Sequence, residues 1–182
     1  MKITIAGIIG SGKSTLAEII AKKLGYKRHS SGDFMRQLAS EKSITLIELS
    51  RIANLSPEID KEIDNRQIEI GKKEDNFVID GRLSWYCIPD SLKIYLEVSE
   101  EEASRRIFND KKENRKKERF SSIEELIRMN RERKALEIKR YKEWYGINIH
   151  DKSHYDISLD TTHLSIDEVV GILMNKIYEF KE

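Results

Sequence analysis

An α/β domain built on a parallel sheet is the architecture this sequence predicts, and three observations predict it. Short apolar segments at residues 1–6, 76–79 and 92–98 read as strands, with a weaker one at 155–159. Stretches with helical spacing separate them. A glycine-rich octet joins the first strand to the first helix. Strands alternating with helices place a helix on each crossover, which gives a parallel sheet covered on both faces. At 182 residues the chain is long enough for one substantial core and too short for two independent domains. It contains neither a repeat of 20–50 residues nor a Ser/Gly linker.

The octet is Gly7-Ile8-Ile9-Gly10-Ser11-Gly12-Lys13-Ser14. It has the spacing G-x-x-x-x-G-K-[ST] in the strand–turn–helix context that motif requires. Glycines let the loop curl so that successive N–H groups point inward, and the helix that follows adds its positive end. Lys13 is placed to reach the β- and γ-phosphates of a nucleoside triphosphate, and the Ser14 hydroxyl to bind Mg²⁺. The helix itself runs over residues 14–24. A short segment at 26–29 then leads through Ser30-Ser31-Gly32-Asp33 into helical spacing at 34–39.

Ser56-Pro57 reads as an N-cap and first helical position, opening a helix that extends to about Lys73. Ser99 with Glu102, Ser122 with Glu125 and Ser165 with Glu168 each match S-x-x-E, the spacing of a capping box, and put helix starts near 99, 122 and 165. In the helix over residues 122–145, Leu126, Met129, Arg133, Leu136, Arg140 and Trp144 fall on one face. Two arginines thus interrupt an otherwise apolar stripe. Burying them unpaired is too costly, so they are expected to meet phosphate or structural carboxylates. Arg131 lies off the stripe but near enough to share that role.

Composition narrows the function classes. The net charge of +1 offers no bulk attraction for nucleic acid. A single cysteine, Cys87, rules out an intrachain disulfide framework and a cysteine-based zinc site. The four histidines have no metal-ligand spacing. No apolar run approaches the roughly 20 residues that cross a membrane, and the amino terminus reads as a core strand and not a signal peptide. A cytoplasmic, monomeric protein without nucleic-acid or membrane partners is the expectation.

Other polar groups cluster where ligands bind in such sheets. Asp80-Gly81-Arg82 follows the 76–79 strand, at the carboxyl end that borders the ligand crevice. Asp80 can position a metal or its waters and Arg82 an anion, or the pair can simply form a capped turn. Asp33 and Arg36, three residues apart at a helix start, either serve an acceptor phosphate or pair with each other in water. Residues 109–119 (NDKKENRKKER) carry six Lys/Arg against three Asp/Glu. This basic segment suits a lid closing over a triphosphate, or a solvated loop. Its local charge also supports a reading of another class, a nucleotide-dependent RNA-binding assembly factor.

These stretches together resemble the nucleoside monophosphate kinases, and most closely the archaeal-type cytidylate kinases. GIIGSGKST, HSSGDFMR, SPEIDKEIDNRQ, VIDGRL, EEASRRI and RERKALEIKRYKEWYGINIHDKSHYDISLDT occur in that order over nearly the full length. The resemblance implies a three-layer α/β fold with a five-stranded parallel sheet, a helical monophosphate-binding region over about residues 31–75 and a short lid over about 109–120, all in one domain spanning 1–182. It implies transfer of the ATP γ-phosphoryl group to CMP or dCMP, with adenylate or another monophosphate kinase activity as the alternative. Gly7, Gly10, Ser11, Gly12, Lys13, Ser14 and Thr15 would hold ATP, joined by Arg115 and Arg119 of the lid. Ser14 would bind Mg²⁺ and Asp80 would bind it through water. Asp33, Arg36, Asp64, Arg66, Gln67 and Arg82 would face the acceptor. Lys13, Arg131, Arg133 and Arg140 would surround the transferred group. Bacterial cytidylate kinases continue the glycine–arginine element as GRD, whereas this chain reads Gly81-Arg82-Leu83.

Overall fold

The computed structural model describes residues 1–110 and 122–181. Five strands form one parallel sheet: β1 (Lys2–Gly7), β2 (Lys27–Ser30), β3 (Phe77–Asp80), β4 (Leu92–Glu97) and β5 (Ile157–Asp160), in the order β2-β3-β1-β4-β5. In register, Ile5 pairs with Asp80 and with Ile94, so β1 runs on through Ala6 and Gly7 beside β4 after β3 has ended. The chain leaves β1 toward β2 on one side and leaves β4 toward β5 on the other. That reversal opens a crevice at the carboxyl ends of the central strands.

One face of the sheet packs against α1 (Lys13–Leu24) and α8 (Ile166–Glu179). Ile3, Ile5, Val78, Ile94 and Leu96 meet Leu16, Ala17, Ile20, Val169, Leu173 and Ile177 there. The central strands are buried on both sides, which accounts for their largely apolar sequences. On the other face Phe77 and Ile79 pack with Ile88, and Tyr95 with Trp85. Trp85 belongs to the short helix α5 (Ser84–Cys87).

Between β2 and β3 the chain forms α2 (Ser31–Glu41), α3 (Leu46–Ala53) and α4 (Glu58–Lys73). These helices have a small core of their own, made of Leu38, Ala39, Leu49, Ala53, Ile59 and Ile63. Thr45 starts α3 with a complete capping box to Glu48, a match to S/T-x-x-E that sequence reading passed over. α4 begins one residue later than expected, with Pro57 as its N-cap and the Ser56 hydroxyl accepting from the Glu58 N–H.

α6 (Glu100–Phe108), α7 (Ile123–Tyr145) and α8 start where the serines predict. Ser99, Ser122 and Ser165 each accept a hydrogen bond from the backbone of the third helical residue, and Ser165 and Glu168 complete the reciprocal box. Among the described residues no helix is long and apolar enough to cross a membrane. The expected lid begins at the described residues Asn109 and Asp110, while Arg115 and Arg119 lie outside the described residues.

Candidate active site

The octet wraps the end of β1. Gly7 (φ 145°) and Gly10 (φ 82°) adopt backbone conformations that disfavour any side chain. A Cβ on Gly7 would also lie 2.2 Å from the Leu96 carbonyl oxygen. Gly12 caps α1 without a side-chain hydrogen bond, and no acidic residue occupies the first turn. The N–H groups at this helix end therefore remain available to an anion. Lys13 donates to the carbonyls of Gly7 (2.8 Å) and Ile8 (2.7 Å). Burial, then repulsion from Arg82, pulls its ammonium down to about 7. Incoming phosphate charge would reverse that shift.

Ser14 Oγ donates to Asp80 at 2.8 Å, and Ser30 Oγ to the same carboxylate oxygen at 3.0 Å. Arg28 holds the other Asp80 oxygen at 2.8 Å. A hydroxyl beside a buried carboxylate is the hard oxygen donor set that Mg²⁺ takes together with substrate phosphates, so these residues fit the ion. The octet opens into a cleft of ≈ 690 Å³ that continues past Arg28, Arg106 and Leu164. Arg106 is fixed by Thr161, whose hydroxyl and carbonyl accept at 3.0 and 2.6 Å, and by Glu102 at 3.0 Å.

A second cleft, of ≈ 550 Å³, lies between α2–α4 and α7. Its wall carries alternating charge. The buried Glu137 accepts from Arg82 (2.6 Å) and from Arg133 (3.1 Å). Burial pushes the Glu137 carboxyl up, but the two guanidinium groups outweigh it and hold it below the usual range. Asp60 faces Arg140 at 3.2 Å, without a hydrogen bond to satisfy either buried atom. Burial raises Asp60 to about 6 despite Arg140. Deeper along α4, Asp64 and Gln67 join a network with Tyr145 and Ser84. Arg36 lines both clefts, paired with Asp33.

The sequence aligns with known proteins over this whole arrangement. Residues 2–163 match the model of the cytidylate kinase-like family. The chain belongs to that family. A cytidylate kinase of Thermococcus kodakarensis is 40% identical over 94% of this chain and 84% of its own length. One from Archaeoglobus fulgidus is 37% identical over 97% of this chain and 94% of its own. Among solved structures, a shikimate kinase from Bacteroides thetaiotaomicron superposes with a TM-score of 0.68 at 16% identity, covering 98% of both chains. At that identity the likeness concerns the fold alone. The three-layer fold with a five-stranded parallel sheet is the one expected of the cytidylate kinase family.

The two clefts gather most of the expected site residues: Gly10, Ser11, Gly12, Lys13, Ser14, Thr15, Asp33 and Arg36 in one, Arg36, Asp64, Gln67, Arg82, Arg133 and Arg140 in the other, while Gly7 borders a smaller hollow behind the loop. Two arginines stand elsewhere. Arg66 pairs with Glu41 at 2.5 Å and with Glu62 at 3.4 Å, outside both linings. Its position on α4 turns it to the outer side of the helical unit. Arg131 is largely exposed and pairs with Glu100 at 2.7 Å, in a smaller hollow of ≈ 180 Å³ behind the octet.

The α7 stripe also differs from expectation. Met129 and Leu136 are about half exposed and border the second cleft, while Leu126, Glu137 and Tyr141 form the buried face. Leu126 of the stripe is buried, whereas Met129 and Leu136 are apolar where they wall a cleft and do not fill the core. Its arginines meet carboxylates, one of the two partners foreseen. Sequence reading missed Arg28, Asp60, Glu137, Ser84 and Thr161. The i, i+4 spacing of Arg133 and Glu137 was the one signal available for them.

Proposed function

We propose that this chain transfers the γ-phosphoryl group of ATP to CMP and dCMP, giving ADP and the corresponding diphosphate. Arg36 carries the reaction class, because it lines both clefts and so joins a triphosphate site to an acceptor site. The choice of acceptor is supported by relatives named cytidylate kinase that align over most of their own length.

In this reading the octet and Lys13 cradle the ATP phosphates, with Arg106 and Leu164 flanking the rest of the nucleotide. Ser14, and Asp80 through water, would hold Mg²⁺, which when bound neutralises phosphate charge. The helical region over about residues 31–75 presents CMP, and its phosphate meets Arg36 and Arg82. An oxygen of that phosphate bonds to the γ-phosphorus as the bond from phosphorus to the β,γ-bridging oxygen breaks, and ADP leaves with the electron pair. Lys13, Arg133 and Arg140 balance the charge that develops on the transferred group, with Arg131 brought in by movement of α7. Alignment and electrostatics supply the catalysis, and no covalent enzyme intermediate is required. Arg115 and Arg119 complete the ATP site from a lid over about 109–120. We place the protein in the cytoplasm as a monomer acting on free nucleotides, without nucleic-acid partners.

A coupled assay of ADP release tests this with CMP, dCMP, UMP, AMP and GMP as acceptors. CMP and dCMP are expected to give the highest kcat/KM. A preference for AMP would make the protein an adenylate kinase, and absence of turnover with every acceptor would reject the reading. Tight, salt-sensitive RNA binding without kinase activity would replace it by the assembly-factor reading.

A further inference from the structure

The deep end of the acceptor cleft carries a polar network whose donors are all turned inward. Asp64 and Gln67 line the cleft, while Ser84 and Tyr145 stand behind them and do not. Tyr145 Oη donates to Asp64 Oδ2 at 2.5 Å, and Gln67 Nε2 donates to Asp64 Oδ1 at 3.2 Å. The Ser84 hydroxyl, fully buried, donates to Gln67 Oε1 at 2.6 Å. Gln67 Nε2 also faces Cys87 Sγ at 3.9 Å.

These bonds fix the orientation of the Gln67 amide. Burial raises the Asp64 carboxyl, but the hydrogen bonds from Tyr145 and Gln67 favour its ionised, accepting form, which makes the amide nitrogen the atom beside Asp64. Its oxygen is then the atom beside Ser84, and the serine must be the donor. Both amide hydrogens are turned to protein partners. What remains for a ligand is a lone pair on the Gln67 carbonyl and those left on the Asp64 carboxylate. Leu83 and Ile63 supply apolar wall on either side.

We propose that Asp64 and Gln67 form an acceptor-only face that reads the 4-amino group of cytosine, with Tyr145 and Ser84 as the positioning residues that keep it so. This rests on the phosphoryl transfer to CMP proposed above. Cytosine brings two N–H donors to that face. Uracil brings a carbonyl oxygen, which would meet acceptors and leave buried lone pairs unpaired. Asp64 and Gln67 discriminate cytosine from uracil by contact, and Tyr145 and Ser84 hold them in the orientation that does so.

The test is the ratio of kcat/KM for CMP to that for UMP. Asp64→Asn is expected to lower the ratio about 100-fold, because the new amide donates where uracil accepts. Tyr145→Phe keeps the ring and its packing, and is expected to lower the ratio about fivefold. Ser84→Ala frees the Gln67 amide to turn and should lower it by a similar factor. A purely packing role would reduce both substrates equally and leave the ratio unmoved. A probe on the wild-type protein makes the test independent of variant folding. The 5′-monophosphate of a pyrimidin-2-one riboside, which lacks the 4-amino group, is expected to lose about 100-fold in kcat/KM against CMP. Equal use of that analogue and CMP, or an unchanged ratio in folded Asp64→Asn and Tyr145→Phe, would overturn the proposal. If the wild type phosphorylates no CMP at all, the phosphoryl-transfer reading fails first.

Discussion

On the nucleotide side of the active site, eight consecutive residues set the geometry through their own backbone. On the acceptor side the geometry comes from side chains distant in sequence: Arg82 with Glu137 across 55 positions, and Tyr145 with Asp64 across 81. The cores beneath differ in the same sense. Sixteen buried residues of the sheet, α1 and α8 form one cluster under the octet, against six within α2–α4. The phosphate loop thus sits on the larger core, whereas the helical unit has fewer buried residues to anchor it. The difference fits the chemistry. Phosphate recognition is the same for every nucleoside triphosphate and can be built from N–H groups and a lysine. Acceptor recognition must distinguish bases, and needs charged side chains held in register by one another.

The largest effect is expected where the backbone-built side depends on one side chain. Lys13→Met should lower kcat by about 10³-fold, measured at saturating ATP and acceptor, while leaving the fold intact. Its stability should depend on pH in a defined sense. The folded-state lysine is drawn to about 7 from 10.5, so between those values the unfolded chain holds more protons. The wild type therefore gains stability as pH rises through that window, and carries the full cost of the buried charge below about 7. In denaturant titrations the advantage of Lys13→Met over wild type should shrink from about pH 6.5 to about pH 9.5. An advantage that grows with pH would mean that Lys13 is stabilised, not strained, in the free loop.

On the other side Glu137→Gln should act through structure. It leaves Arg82 and Arg133 without their shared carboxylate, and is expected to cost about 3 kcal/mol of unfolding free energy. Acceptor KM should rise with it, while ATP KM stays close to wild type. Equal changes in both KM values would show that the two sides are not separable. The smallest effect belongs to Arg66→Ala. With its partners Glu41 and Glu62 both exposed, it should change stability by no more than about 0.5 kcal/mol and leave acceptor KM unaltered. A marked rise in acceptor KM would return Arg66 to the acceptor face that the family resemblance suggested.

The same contrast explains what could be read from the sequence. The octet, the capping serines and the apolar strands are local, and each declares itself within eight residues. Asp80 was recognisable because it ends a strand beside the octet. The α7 arginines were recognisable by their period, yet that period gave no indication that Met129 and Leu136 wall a cleft. Buriedness depends on what α2–α4 place opposite, and no local pattern encodes that. Glu137 and Asp60 look like two more surface carboxylates among the 32 acidic residues of the chain. Only folding brings them under Arg82 and Arg140. Arg66 shows the converse: its neighbours Asp64 and Gln67 line the cleft, but two residues of helix turn it away from Asp64, toward Glu41 and Glu62.

The central claim is that one cleft passes a phosphoryl group to the other. Following ATP and CMP with the wild-type protein and Mg²⁺ by ³¹P NMR tests this most directly. The predicted result is the appearance of ADP and CDP in equal amounts, with no orthophosphate resonance. Orthophosphate growing while CMP remains unchanged would contradict it, leaving a nucleotide hydrolase with no acceptor site.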